Sequence, residues 1–317
     1  VRVAALAGGI GAGKFLRGLI RVVPPEDVTA IVNTGDDIDV HGLHVSPDLD
    51  SVTYWLSGLA DRERGWGRQG ETFRATEELR ALEAEGAWFG LGDLDLATHL
   101  FRTSKLRAGE TLTIVTDELR RRWGVACRIL PMTDDRVTTR IEAVDAHGHA
   151  LDLHFQEYWV LRGARDEVKA VSFAGVERAA PAPGVLDAIA EADCVVICPS
   201  NPVVSIDPIL AVPGLRDAVA SRRDRTVAIS PIVGGAPLRG MADRLLPVVG
   251  VDVSATGVAQ HYGPALVGGF VIDQIDESAR PSIEAMGFRV GVTDTIMVDD
   301  EAAESLATVT LDLATGA

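Results

Sequence analysis

VRVAALAGGIGAGKFLRGLIRVVPPEDVTAIVN, residues 1–33, carries a short apolar run, a glycine cluster, a helix-like stretch (GKFLRGLIRVV) and a second apolar run. Strand, turn, helix and strand in that span is the size of one βαβ unit. DCVVICPS, residues 193–200, is a third buried strand that ends in a polar loop. TVAISPIVGG, 226–235, repeats the arrangement, with a Ser-Pro and glycine-rich loop and a helix expected from about 239. GGFVID and FRVGVTD read as later strands, and EAAESLATVTLDLA as a terminal amphipathic helix. Short buried strands alternating with helices predict an α/β fold on a parallel, doubly wound sheet.

The middle of the chain has another texture. Residues 51–123 read mostly as helix, with apolar positions at helical spacing in TEELRALEAEG, ATHLFRTSKLRAG and TIVTDELRRRWG. From 127, CRILPM, RVTTRIEAV, ALDLHFQEYWV and VKAVSF read as strand-like. The expected division is a nucleotide-binding core from 1–50 and 181–317, with 51–180 as an inserted subdomain, helical and then strand-rich. There is no internal repeat and no low-complexity linker.

The chain has 317 residues, 47% apolar and 24% charged, a balance that excludes wholesale disorder. No apolar run reaches the ~18–20 residues of a membrane span. VRVAALAGG lacks the length and flanks of a signal peptide, so a cytoplasmic, membrane-free protein is expected. Net charge is −16, from 30 basic and 46 acidic residues, which argues against nucleic-acid binding through a general positive field. An acidic protein that handles an anion must neutralise it locally, with a metal, a few Arg or Lys, or helix N-termini. Cys127, Cys194 and Cys198 form no CxxC and no even framework, as in a reduced protein, and Cys194 and Cys198 read as core thiols.

In doubly wound sheets ligands bind beyond the carboxyl ends of the strands. The loops expected there are 8–13, 33–50, 199–205 and 230–235. AGGIGAGK has the G-x-x-x-x-G-K spacing at Gly8, Gly13 and Lys14, but Phe15 stands where a magnesium-holding Ser or Thr belongs. G-x-G-x-x-G also fails: counted from Gly9 and Gly11, its third glycine falls on Lys14, and Asn33 stands where a ribose-binding acid is expected. Two readings remain: backbone contact to phosphate at a helix N-terminus, or a plain tight turn.

NTGDDIDVHGLHVSPDLDS gathers Asp36, Asp37, Asp39, Asp48 and Asp50 with His41 and His44. Clustered carboxylates need a cation or protons to coexist, and oxygen-rich sites favour magnesium or calcium. The alternative is a solvated acidic loop with Asp48 or Asp50 capping the next helix, and a zinc site is disfavoured because HGLH has no third soft ligand nearby. In GLGDLDLATHLF, Asp93 and Asp95 stand at a helix start, and Asp95 and His99 share a face at i, i+4. Thr98 and His99 are ligand candidates or helix packing. In CPSNPVVSIDPIL, Ser200, Asn201 and Ser205 are polar groups at a strand end that can read a base or ribose. ISPIVGGAPLRGMAD adds Ser230 and Arg239, the latter a phosphate clamp or a surface arginine. Trp66 and Phe73, or Tyr158 and Trp159, can stack on a flat heterocycle, with core packing the expected role of the second pair.

Taken in order, AGGIGAGKFLRGL, NTGDD, HGLHVSPDLDS, WG-x-x-x-ETF, GLGDLDLATH, LPMTDD, HFQEYWV, PSNPVVSIDPIL and SPIVGGAPLRGMAD resemble the 2-phospho-L-lactate transferase family of coenzyme F420 biosynthesis. The likeness runs from residue 2 to the terminal helix; PDLD, GD-x-D-x-ATH and PSNP-x-x-SI are specific jointly. It implies a Rossmann-like sheet with an insertion that contributes to the site, commonly a homodimer, and a magnesium-dependent transfer. The terminal ribityl hydroxyl of the deazaflavin Fo attacks the phosphate of a GDP-activated phospho-acid (2-phospho-L-lactate or phosphoenolpyruvate), GMP leaves, and coenzyme F420-0 or its dehydro form results. The resemblance puts Fo against Asp50, which can take the hydroxyl proton, and makes Asp36 and Asp50 the metal-linked carboxylates. It lines the diphosphate with Gly8, Gly9 and Gly11 and the guanosine side with Asn201 and Ser205. Leu94 departs from the arginine common at that position, leaving Arg102 or Lys105 as substitutes.

Two rival classes stand beside this reading. One is a non-catalytic nucleotide-sugar-binding regulator of the same superfamily, which lacks a strong ATH segment and an NTGDD loop of this kind. The other is a nicotinamide oxidoreductase, disfavoured by the failed glycine fingerprint. The phospho-acid is left open, because phosphoenolpyruvate, 2-phospholactate and 3-phosphoglycerate differ by groups that a hydrophobic pocket separates by only ~1–3 kcal/mol.

Overall fold

The computed structural model describes residues 1–316. Among them, seven strands make one parallel sheet: β1 (Val3–Ala7), β2 (Val28–Val32), β3 (Arg128–Pro131), β4 (Cys194–Ile197), β5 (Thr226–Ile229), β6 (Gly269–Asp273) and β7 (Arg289–Thr293). Their spatial order is β7-β6-β5-β4-β1-β2-β3. From β1 the chain first builds outward through β2 to β3, then returns to β4 on the other side of β1. The loops after β1 and β4 therefore diverge at a topological switch point, where such sheets open a crevice.

Alternation along β1 feeds two cores. Ala4 and Leu6 face a cluster with Ile31, Ile197 and Phe270, while Val3, Ala5 and Ala7 face Phe15, Leu16 and Leu19 of α1 (Gly9–Val22). The helix Asp300–Thr315 completes the second layer with Leu306 and Ala307. Burial on both faces is why these strands read as continuous apolar runs. Each fully buried Leu or Phe contributes about 1.5–3 kcal/mol.

Four helices follow β2 across the crevice: α2 (Pro47–Ser57), α3 (Arg74–Ala81), α4 (Asp93–Arg107) and α5 (Leu112–Arg122). Beyond β3 lies a three-stranded antiparallel sheet with Thr138–Val144 between Ala150–His154 and Glu167–Ala174. No helix among the described residues is long and apolar enough to cross a membrane.

Three segments differ from the sequence reading. CRILPM, placed by sequence in the 51–180 stretch, supplies β3 of the central sheet, pairing with β2 from Thr29↔Arg128 to Val32↔Pro131. ALDLHFQEYWV is strand only to His154 and then turns into the helical segment Glu157–Leu161. The turn is made locally: the His154 N–H donates to Glu157 (2.8 Å) and the Gln156 N–H donates to His154 Nδ1 (3.0 Å), side-chain bonds that compete with the ladder. The helix expected from about 239 begins at Ala242, because the hairpin Ile232–Val233 with Ala236–Pro237 occupies the loop first.

Candidate active site

At the switch point the loops after β1 and β4 are tied together. Ser200 Oγ accepts from the Gly8 N–H (3.2 Å) and donates to the Gly8 carbonyl (2.8 Å). A Cβ on Gly11 would collide with the Pro199 carbonyl oxygen, and one on Gly8 would sit 2.5 Å from Ser205 Cβ. These glycines thus let the two loops close on each other. Gly9 has φ +68°, and α1 starts there without a side-chain cap or an acidic residue in its first turn. Its N-terminus opens on a cavity of about 1150 Å³ lined by Gly8, Gly9, Ile10 and Gly11.

One wall of the cavity is acidic. Asp36, Asp48 and Asp50 line it, the last two from the first turn of α2, where the helix dipole favours negative charge. Asn33, fully buried at the end of β2, donates to Asp48 Oδ2 (2.9 Å) and to the Val204 carbonyl (3.1 Å). Burial, opposed by the Asn33 bond and reinforced by Asp37, pushes Asp48 up to about 7. Burial and then Asp48 push Asp36 far above the ordinary carboxylate range, and its Oδ1 has no hydrogen-bond partner among the described residues. Two buried carboxylates that oppose each other's ionisation, with an open oxygen, fit a divalent cation.

Asp50 is held differently. Arg102, from the third turn of α4, meets both its oxygens, Nη1 to Oδ2 at 3.0 Å and Nη2 to Oδ1. The buried face of α4 is polar: Asp95, Thr98, His99 and Arg102 all point inward. Arg102 Nη1 lies 3.2 Å from His99 Nδ1, and since guanidinium only donates, the His99 proton sits on Nε2, 3.5 Å from Asp95 Oδ1. Tyr54 OH donates to the same Asp95 oxygen (2.7 Å). Burial raises Asp95, but the bonds from His99 and Tyr54 and the Arg102 charge outweigh it and leave the group below the usual range.

Another part of the lining is cationic and aromatic. Lys14 Nζ donates to the Met297 carbonyl (3.2 Å), and burial followed by the charges of Arg239 and Arg62 lowers its pKa. Arg62 is paired with Asp300 and Arg64 with Asp61, whereas Lys14 and Arg239 have no carboxylate partner among the described residues. Arg64 stacks on Trp66 (4.8 Å) and Phe73 (5.1 Å), and both rings face the cavity. Trp159, expected in the core, also lines the cavity, while Tyr158 is fully buried.

Ser200, Asn201, Ser205, Ser230, Asp95 and His99 line the same cavity, so most of the sequence candidates converge. Asp39, His41 and His44 stand outside it, and so do Asp37, Thr98 and Asp93. Asp37 lies behind the wall, bonded to His44 Nε2 (2.9 Å) and the Ser46 hydroxyl (2.8 Å). Thr98 backs Tyr54 OH at 3.0 Å. Asp93 accepts the Arg74 and Ala75 N–H groups and so anchors the start of α3. Asn201 spends its side-chain oxygen on the Val203 and Val204 N–H groups, and Ser230 bonds to Ile232 within its own turn. Lys105 does not replace the arginine missing at Leu94, since it pairs with Glu110 and Glu118. Sequence reasoning missed Asn33 and Tyr54, and took Arg102 only as a substitute. The signal for Arg102 was its place three residues after His99 and seven after Asp95 on one helix face.

The family model for 2-phospho-L-lactate transferase CofD matches residues 3–309. The chain belongs to this family. Relatives named phosphoenolpyruvate transferase include that of Streptomyces griseus subsp. griseus, 50% identical over 99% of this chain and 98% of its own. Those of Streptomyces coelicolor and Mycolicibacterium smegmatis are 49% and 40% identical, each over 99% of this chain. A crystal structure of a UPF0052 family member from Bacillus halodurans shares the fold, with TM-score 0.63 and 18% identity over 98% of both chains. As a member of the CofD family, the protein is a transferase.

Proposed function

We propose that this transferase moves a phospho-acid from its GDP-activated form to the terminal ribityl hydroxyl of the deazaflavin Fo, releasing GMP in coenzyme F420 biosynthesis. The observation that carries the reading is one cavity whose lining brings together Asp36, Asp48 and Asp50, the N-terminus of α1 with Lys14 and Arg239, and the rings of Trp66, Phe73 and Trp159. Its volume of about 1150 Å³ exceeds the roughly 300–1,000 Å³ of a pocket for one drug-sized ligand, so it has room for a donor and an acceptor together. Identity of 40–50% to relatives named phosphoenolpyruvate transferase supports phosphoenolpyruvate over 2-phospho-L-lactate as the acid.

In this reading the N-terminus of α1, Lys14 and Arg239 hold the anionic donor, whose charge a protein of net −16 must offset locally. Trp66, Phe73 and Trp159 offer faces to the deazaflavin ring. Asp50 faces the ribityl hydroxyl and accepts its proton. The resemblance proposes Asp36 and Asp50 for magnesium; the structure favours Asp36, with its open buried oxygen and Asp48 as its neighbouring carboxylate, over Asp50, whose two oxygens are held by Arg102. When bound, the metal supplies charge neutralisation on the diphosphate. The remaining contribution of the chain is positioning, which is most of phosphoryl-transfer catalysis.

Asp50→Asn tests the assignment. It should lower GMP release by at least ~100-fold, the scale of removing one preorganised group, while the melting transition stays cooperative. GMP release at the wild-type rate would remove Asp50 from the mechanism.

A further inference from the structure

We infer that Arg102 is a positioning residue for the transfer, acting from behind the active site through Asp50; this rests on the function proposed above. Arg102 is only 1% exposed and is absent from the cavity lining, while Asp50, its partner, faces the cavity. The guanidinium meets both carboxylate oxygens, and a two-point fork fixes the plane of the carboxylate as well as its place. The fork is itself braced: Nη1 lies 3.2 Å from His99 Nδ1 and 3.4 Å from the His44 carbonyl. His99 in turn leans on Asp95, which Tyr54 anchors to α2. Asp50 and Tyr54 belong to one helix and Asp95, His99 and Arg102 to another, so α2 and α4 are tied at two points, Asp50 to Arg102 and Tyr54 to Asp95, with His99 packed between them.

A purely stabilising role explains this poorly. Desolvating two charges roughly cancels their attraction, so apolar residues of similar volume would serve the fold as well. An ion pair whose acidic member looks into the cavity and whose basic member does not is instead a way to aim a carboxylate. The same geometry makes lysine a poor replacement, because one ammonium cannot hold both oxygens in a fork.

The test is a double-substitution cycle on the full-length protein with two readouts, turnover and Fo affinity followed by deazaflavin fluorescence. Arg102→Met should lower kcat ~10–100-fold, the scale set by misplacing a reacting group by about 1 Å, with the donor KM changed less than about threefold. Arg102→Lys should stay at least ~10-fold below wild type, since the fork is lost although the charge is kept. Fo affinity survives loss of turnover, so the cycle is closed on binding. Arg102→Met should weaken Fo ~5-fold in the wild-type background and less than about 2-fold beside Asp50→Asn, the non-additivity of groups acting through one another. If the single Met variant fails to fold, Arg102→Lys, which keeps the buried charge beside Asp50, replaces it in the cycle, with the same non-additivity expected beside Asp50→Asn. Wild-type turnover in Arg102→Lys, or equal Fo weakening in both backgrounds, would overturn the inference. A wild-type protein that turns over no guanosine-activated phospho-acid would instead overturn the proposed function, and this inference with it.

Discussion

The acidic wall puts a cost on the ligand-free protein that can be measured. Asp48 is raised from the ordinary carboxylate range to about 7 by burial, so between those values the folded state holds a proton that the unfolded chain has released. Stability therefore falls as pH rises through that window, and Asp48→Asn should flatten the slope. Urea unfolding in chelator from pH 4.5 to 7.5 checks it; parallel slopes for the two proteins would contradict the burial argument. Lys14 carries the opposite charge problem, half-buried beside Arg239 with no carboxylate in reach among the described residues. Lys14→Ala should weaken the guanosine donor by at least ~10-fold, as loss of a charged hydrogen bond does, and Fo by much less. Equal weakening of both ligands would sink the phosphate assignment. At this scale the sequence shows the charges but not their partners. NTGDD and PDLD announce a carboxylate cluster, while the Asp50–Arg102 pair spans 52 positions and exists only once α4 crosses α2.

The βαβ unit of β1, α1 and β2 was legible because strands covered on both faces must be apolar throughout. The same property hid β3: CRILPM announces a buried strand but not the sheet it joins, and its partner β2 lies about a hundred residues earlier. EYWV was misread because aromatic and β-branched residues suggest a strand, whereas the bonds between His154, Gln156 and Glu157 turn the chain. The glycine loop was legible as a turn that needs small residues, but the structure assigns part of the need to Pro199 and Ser205 rather than to ligand. Gly11→Ala should push the start of α1 off the loop after β4, costing about 1–3 kcal/mol as overpacking does. Chemical denaturation measures it, and an unchanged midpoint would show that the loops separate freely.

For the whole molecule, the reversal of strand order at β1 explains where the site lies. It gathers the loops after β1, β2, β4 and β5, and the helices between β2 and β3 add residues of α2, α3 and α4 to the lining. In a protein of net charge −16, Lys14 and Arg239 make the cavity a local cationic exception. Under the proposed function, the choice of phospho-acid rests on a few side chains, since a methylene alone is worth only ~1–3 kcal/mol. The most direct measurement is turnover with mass-spectrometric product analysis, mixing the protein with Fo, magnesium and the guanosine-activated forms of phosphoenolpyruvate, 2-phospholactate and 3-phosphoglycerate in competition. The expected result is GMP and a phosphodiester of Fo, dominated by the mass of the phosphoenolpyruvate product. Intact Fo with no GMP from any donor would contradict the account.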